Sequence, residues 1–476
     1  MIAANADPGP APPAPPIDLG YVWRACAVVA LGGLLFGWDW VVIGGAKPFF
    51  ESFFRLKDPA LVGWANSCAL VGCLAGALVA GALSDRLGRK RLLIAAALLF
   101  AATSIGNALA PTFGAFIAWR MLGGVAIGLA SSLSPMYISE IAPAPMRGRL
   151  TSVNQLTIVV GILAAQAINW SLVRGLPAGA GEEFIRNSWF GQQGWRWMFA
   201  VTAVPSTLFL VGMLFVPESP RWLAKNGEPG QARAILERIG GARYAEAAIA
   251  EIVGSISAEE TRRVRFRDLL EPRMRRVLVL GIVLAVFQQW CGINVIFNYA
   301  EEIFREAGYD ISSVLKNIAW TGSVNLVFTF AALGTVDRRG RRPLMLLGAG
   351  GLALAYAALA ACYACGVKGL PMLLLVLGAI GCYAMSLAPV TWVVISEIFP
   401  NRIRGAAVSV AVAALWVACF ILTYTFPLLN AGLGPARTFG LYSAICVAGF
   451  LFILARLPET KGASLEQLEK RLVGGS

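Results

Sequence analysis

Apolar residues in this chain come in long continuous runs, not in the alternation of a half-buried strand or the narrow stripe of a soluble helix. Runs of about 20 residues recur near 22–46, 61–83, 92–110, 114–138, 150–172, 197–216, 276–300, 313–334, 343–366, 371–396, 405–430 and 436–456. Each is long enough to cross a hydrocarbon core about 30 Å thick. Helices are expected at all twelve, because in lipid a segment must pair its own backbone polar groups. The one sizeable polar stretch, about 217–275, contains QARAILERIGGARYAEAAIAEIVGSI, whose helical spacing predicts short helices at the membrane surface.

Composition agrees with the pattern. The 476 residues are 57% hydrophobic and 14% charged, a balance that a soluble domain of this length does not tolerate. The net charge of +13 raises the question of a polyanion partner, but its placement answers otherwise. Arg and Lys concentrate at 86–91, 147–149, 221–276, 338–342 and 402–404, which are alternate connections. The positive-inside rule makes these cytoplasmic and places both termini on that side, so the charge reports topology and no nucleic-acid partner is expected. Connections of the other parity hold isolated residues such as Lys47, Lys57, Lys368 and Arg437.

The opening MIAANADPGPAPPAPP has no charged segment followed by an apolar core, and reads as a disordered cytoplasmic tail, not a signal peptide. The nine cysteines fall almost wholly in apolar runs, and Cys362-x-x-Cys365 reads as small apolar filler. With no histidine in the chain, no metal or cofactor is expected, and any proton chemistry falls to carboxylates.

The chain also repeats itself. SEIAPAPMRG (139–148) returns as SEIFPNRIRG (396–405), GALSDRLGRKRLL (81–93) as GTVDRRGRRPLML (334–346), and PESPR (217–221) more weakly as PETKG (458–462). The offsets are nearly equal and the charge orientation is retained, which points to a duplicated six-helix unit in parallel repeat. The expected organisation is a tail (1–20), an N-terminal six-helix bundle (21–216), a cytoplasmic helical linker (217–275), a C-terminal six-helix bundle (276–457) and a second tail (458–476).

Three groups of polar residues stand out. Asp39, in LLFGWDWVVIG, and Arg120, in AWRMLGG, are charges inside apolar runs, where a lone carboxylate costs roughly 2.5–3.5 kcal/mol. As a pair, the arginine favours the carboxylate while burial favours the acid, so separating them tips the balance toward protonation. The alternative is a static buried pair that positions helices. In QQWCGIN, the amides Gln288, Gln289 and Asn294 suit hydroxyls that both give and accept hydrogen bonds, although buried amides also join helices. On an ideal helix Gln289 and Asn294 lie roughly 100° and 240° from Gln288, so all three meet only if the helix unwinds, and Gly292 is where it could. In the basic connections Asp85 can pair with Arg89 and Asp337 with Arg341. Glu140 with Arg147, and Glu397 with Arg404, stand at helix ends expected to face each other.

GALSDRLGRKRLL, PMYISEIAPAPMRG, PESPRWLAKNGE, QQWCGIN, TVDRRGRRPL, SEIFPNRIRG and PETKG together resemble the signature set of the sugar porter family of the major facilitator superfamily, in order from about residue 25 to 470. The resemblance implies an all-α membrane protein of about twelve transmembrane helices in two six-helix bundles, with a central sugar site and alternating access. It assigns Gln288, Gln289 and Asn294 to the sugar, with Gln155, Asn325 and Trp392, and it implies a cytoplasmic gate of interlocked ion pairs that includes Glu218 and Arg221. Asn298 stands where close relatives have the first of two tyrosines. Leu415 precedes Trp416 where many relatives have an amide. Asn298 and Trp416 are still expected at the sugar, but the lost tyrosine and the amide missing at Leu415 remove usual partners, so the sugar preference need not be that of the best-known relatives. The aspartate at position 39 and the arginine at 120 match the bacterial proton-coupled xylose carriers, whereas facilitative glucose carriers are neutral at position 39.

The function expected is therefore proton-driven import of a pentose or hexose across a bacterial inner membrane, by a chain working as a monomer with sugar, proton and bilayer as its partners. A sugar uniporter, or a symporter for a cyclic polyol such as myo-inositol, is the alternative. A sugar sensor is disfavoured by the short C-terminal segment, drug export by QQWCGIN and PESPR, and an enzyme by the lack of any phosphate loop or nucleophile elbow.

Overall fold

A computed structural model describes residues 17–177, 180–260, 269, 271–399 and 403–461, so the tail at 1–16 lies outside the described residues. The side chains of Asp337 and Arg404 lie outside them as well. The first half comprises α1 (Leu19–Phe54), α2 (Pro59–Leu87), α3 (Arg89–Leu109), α4 (Phe113–Ile141), α5 (Arg147–Leu172), a short α6 (Glu182–Asn187), and α7 (Trp195–Ala200) running into α8 (Ala203–Phe215). Between the halves lie α9 (Pro220–Lys225) and α10 (Pro229–Glu260), the latter kinked at Gly240 and Gly241.

The second half begins with one broken crossing, α11 (Pro272–Trp290), α12 (Ile293–Asn298) and α13 (Ala300–Glu306). It continues with α14 (Ile311–Arg339), α15 (Arg341–Ala364), α16 (Leu370–Met385) with α17 (Leu387–Ile398), α18 (Arg404–Leu433) and α19 (Pro435–Arg456). Among the described residues, 12 segments are long and apolar enough to cross a membrane.

Local sequence sets the helix ends. Asp18, Asp58, Thr112 and Asp310 each accept a hydrogen bond from a backbone N–H of the turn they open, and Pro59 follows its cap at the first helical position. The α2–α3 and α14–α15 joints turn on Gly88 and Gly340 at φ 90° and 94°, the same device in both halves. Apolar side chains left outside, such as Phe215 at 84% and Leu354 at 74% exposure, suit a hydrocarbon surround.

Small residues decide how closely helices approach. A side chain at Gly124 or Gly128 of α4 would collide with the backbone of α2 at Ala69 or Cys73. Between the bundles, a Cβ on Gly44 of α1 would lie 2.7 Å from the Phe297 carbonyl of α12, and Gly63 of α2 abuts Tyr424 of α18. Gly322 of α14 abuts Leu163 and Gln166 of α5. These approaches lie in the half of the molecule away from the basic connections. On the basic side Arg147 is exposed, and Trp392 of α17 is 42% exposed.

Candidate transport site

The chain breaks at Gly292, which takes φ 84° between α11 and α12. The break folds the amides back toward one another. Gln288 Nε2 donates to the Tyr383 hydroxyl of α16 (2.7 Å), Gln289 donates to Gln288, and Asn294 donates to Gln289 and to Cys419 Sγ of α18 (3.5 Å). All three amides are at least nine-tenths buried. The result is a continuous polar string inside the C-terminal bundle, whose donors and acceptors a polyhydroxylated ligand can exchange for its own.

The other candidates sit on surrounding helices. Asn325 of α14 is buried and Gln155 of α5 half-buried, and among the described residues no hydrogen bond ties either to the string. Trp416 of α18 packs on Trp40 and Phe36 of α1 at centroid distances of 6.1 and 6.3 Å, so it joins the two bundles. Trp392 of α17 is 42% exposed, and among the described residues no hydrogen bond ties it to the string. Asn298 is buried with its side-chain oxygen unpaired, and it lines a cavity of about 10 Å³ with Trp40, Ile43, Asn66, Arg120 and Ile127. That is close to the space of a single water.

Arg120 ties this cavity to the first bundle. Its Nη1 lies 3.0 Å from both carboxylate oxygens of Asp39, and the two residues are 2% and 7% exposed. The guanidinium also lies over the Phe199 ring, 5.6 Å from its centroid. Among the described residues its Nε has no hydrogen-bond partner. A buried pair of this kind is strongly sensitive to loss of either member, since the other is left charged in a poor dielectric.

On the basic face the repeat becomes two matching clamps. In the first, Arg89 opens α3 and pairs with Glu140 of α4 at 3.0 Å and with Asp85 at 3.3 Å. Glu218 accepts from the backbone N–H groups of Arg89 and Lys90, and Ser219 Oγ donates to Glu140. In the second, Arg341 opens α15 and pairs with Glu397 of α17 at 3.2 Å, Glu459 accepts from the N–H groups of Arg341 and Arg342, and Thr460 Oγ1 donates to Glu397. Burial raises the Glu459 carboxyl, but the N–H groups of Lys461, Arg341 and Arg342 outweigh it and hold the group below its ordinary value. The Asp85–Arg89 pair is the one the sequence predicts, while the Arg89–Glu140 and Arg341–Glu397 pairs each join helices of one bundle.

The family model for sugar (and other) transporters matches residues 25–472. The chain belongs to that family. It is 38% identical to the D-xylose-proton symporter of Escherichia coli strain K12, covering 94% of this chain and 95% of the relative. It is also 38% identical to the arabinose-proton symporter of Bacillus subtilis strain 168, covering 95% of each. Among solved structures, the inward-open conformation of the xylose transporter from E. coli superposes with a TM-score of 0.81 at 36% identity, covering 95% of this chain and 100% of that one. The chain is thus a multi-pass membrane transporter of the major facilitator superfamily and not an enzyme.

For a sugar transporter, several polar contacts escaped the sequence reading. Tyr383 and Cys419 end the amide string, and Gln166 of α5 donates to Thr321 of α14 (3.4 Å) across the bundle interface. Polar side chains within apolar runs were the available signal for Gln166, Thr321 and Tyr383. Ser219, Thr460 and Glu459 complete the clamps, and the PESPR–PETKG echo was the signal for them. Lys47, read as an isolated residue of a connection, lies within α1 and is fully buried among carboxylates, because α1 runs on to Phe54.

Proposed function

We propose that the chain imports a monosaccharide together with a proton, by alternating access between its two bundles. The observation that carries this reading is the buried Asp39–Arg120 pair, one cavity away from Asn298 of the broken helix. Sugar bound along Gln288, Gln289 and Asn294, and flanked by Gln155, Asn298, Asn325, Trp392 and Trp416, draws α12 toward α1. Movement of α1 against α4 then alters how well Arg120 compensates Asp39, which sets whether the carboxylate holds a proton. The relatives named as xylose-proton and arabinose-proton symporters support coupling and a pentose or hexose as cargo.

The basic connections are assigned to the cytoplasm, and the membrane to the inner membrane of a bacterium. We read the close contact between bundles on the opposite face as an inward-facing state, a reading supported by the likeness to the inward-open xylose transporter. The gate built from Asp85, Arg89, Glu140, Arg147, Glu218, Arg221, Asp337, Arg341, Glu397 and Arg404 belongs to the other state, in which the inner ends of the bundles meet. Here the clamps stiffen each bundle separately.

The test is uptake of labelled xylose, glucose, arabinose, galactose and myo-inositol into energised vesicles, with and without a protonophore. The account expects one pentose or hexose to accumulate above its gradient and to lose that accumulation with the protonophore. Accumulation of inositol alone would move the cargo to the cyclic polyols. Equilibration without accumulation for every sugar would make the protein a uniporter.

A further inference from the structure

Lys47 is 0% exposed inside a membrane helix, and nothing in the transport site uses it. Its ammonium bonds Glu302 of α13 and lies 3.7 Å from both Glu301 of α13 and Glu51 of α1. It also sits over the Tyr299 ring, 5.2 Å from the centroid. Glu301 is 1% exposed in its side chain and is met from the solvent side by Arg305 at 3.3 Å. One turn on, Glu306 accepts from Asn430 Nδ2 of α18 (3.2 Å), and the Tyr299 hydroxyl donates to the Thr423 carbonyl of α18 (2.6 Å). The cluster therefore spans both bundles, with Lys47 and Glu51 from the first and Glu301, Glu302 and Arg305 from the second.

The helix is weakened beside it. Pro48 follows Lys47 inside α1, where it removes a helical hydrogen bond, and Gly44 and Gly45 precede it. Gly44 is also where α1 touches the Phe297 carbonyl of α12. A buried ion cluster contributes little net stability, since desolvation offsets much of the attraction, but it is strongly selective for the arrangement that pairs it. Here the paired arrangement exists only while α1 and α13 are together. Without the ammonium, Glu51 of one bundle and Glu302 of the other are left as largely buried carboxyls with no cation between them, and opening the interface to water relieves the cost of burying them.

We propose that Lys47 is the positioning residue of the outer gate: its ammonium, set between Glu51 of one bundle and Glu301 and Glu302 of the other, holds the outer face closed. The inference rests on the inward-facing, sugar-transporting reading given above. Its action is on the equilibrium between outward- and inward-facing states, so it reaches transport through α1 and α13 and not by touching sugar.

The test is hydrogen–deuterium exchange of the full-length protein in nanodiscs, without sugar, for wild type, K47R, K47M and K47M with E51Q. K47M is expected to raise exchange at least tenfold in peptides covering 44–54 and 296–306, with peptides from the basic face unchanged as the check on folding. K47R is expected to match wild type. Adding E51Q to K47M removes a carboxyl that would otherwise be buried without its cation, and is expected to restore most of the protection. A merely structural lysine would not be rescued by a second lesion. Equal exchange in wild type and folded K47M, or rescue by neither K47R nor E51Q, overturns the proposal. Because no sugar or proton gradient enters the measurement, failure of the cargo or coupling assignment would leave this result readable on its own.

Discussion

Replacing Gly292 with alanine tests whether the helix break is what assembles the amide string. Gly292 sits at φ 84° and ψ −1°, a region that an L side chain enters at a cost of roughly 1–2 kcal/mol. The added Cβ would stand 3.2 Å from Cγ of Tyr442 and 3.4 Å from Tyr356, both buried rings, so neighbours must shift as well. If the backbone relaxes toward a straight helix to escape the strain, Gln288 and Asn294 turn away from Gln289 and the pre-formed string is lost. A penalty of 1–2 kcal/mol drawn from binding corresponds to roughly a 5–30-fold weaker sugar affinity at about 1.4 kcal/mol per tenfold. The assay is equilibrium binding of the transported sugar to purified protein, with thermal melting of the sugar-free protein alongside. The account expects weakened affinity, and a lower melting temperature if the break is retained under strain. Wild-type affinity with an unchanged melting temperature would show that the break neither is strained nor organises the site.

The two clamps differ in burial, and that difference predicts unequal effects. Arg89 and Glu140 have side chains 7% and 9% exposed, against 15% and 24% for Arg341 and Glu397, so Arg89→Ala is expected to lower the melting temperature more than Arg341→Ala; equal shifts would contradict the burial argument. Glu459 is held below its ordinary value, so the stability it contributes is present above that value and is lost as pH falls through the lower value of the folded state. The gap in melting temperature between wild type and Glu459→Gln is therefore expected to be constant near neutral pH and to shrink only below about 4.5, the ordinary value. A gap that does not change on acidification would mean that the carboxylate charge is irrelevant there.

Much of the architecture is legible in the sequence, because apolar run length and alternating basic connections are one-dimensional signals. The break at Gly292 was readable too, from the mismatch between helical geometry and amides that do not share a face. The Asp39–Arg120 contact followed from cost, since neither charge is tolerable alone in hydrocarbon. What could not be read was which bundle each ionic partner would choose. Arg89 and Glu140 carry the same sequence signature whether they pair within a bundle or across the interface; here they pair within one. Lys47 failed for a related reason: its partners Glu301 and Glu302 stand in the other half of the chain, and no periodicity connects positions so far apart. Trp416, likewise, packs on α1 through an interface that exists only once the two halves meet.

The central claim is that Asp39 carries the proton. In vesicles held at 100 mV, one proton per sugar supplies about 2.3 kcal/mol, enough for roughly 50-fold accumulation. The direct measurement is sugar-driven proton uptake, read with a trapped pH dye in proteoliposomes, beside sugar exchange, for wild type and Asp39→Asn. Asparagine keeps an acceptor for Arg120 but no titratable proton. The account predicts that the variant exchanges sugar across the membrane yet moves no protons and cannot accumulate. Sugar-driven proton uptake at the wild-type ratio in Asp39→Asn would contradict it, and would leave the buried pair as a structural anchor of α1 on α4.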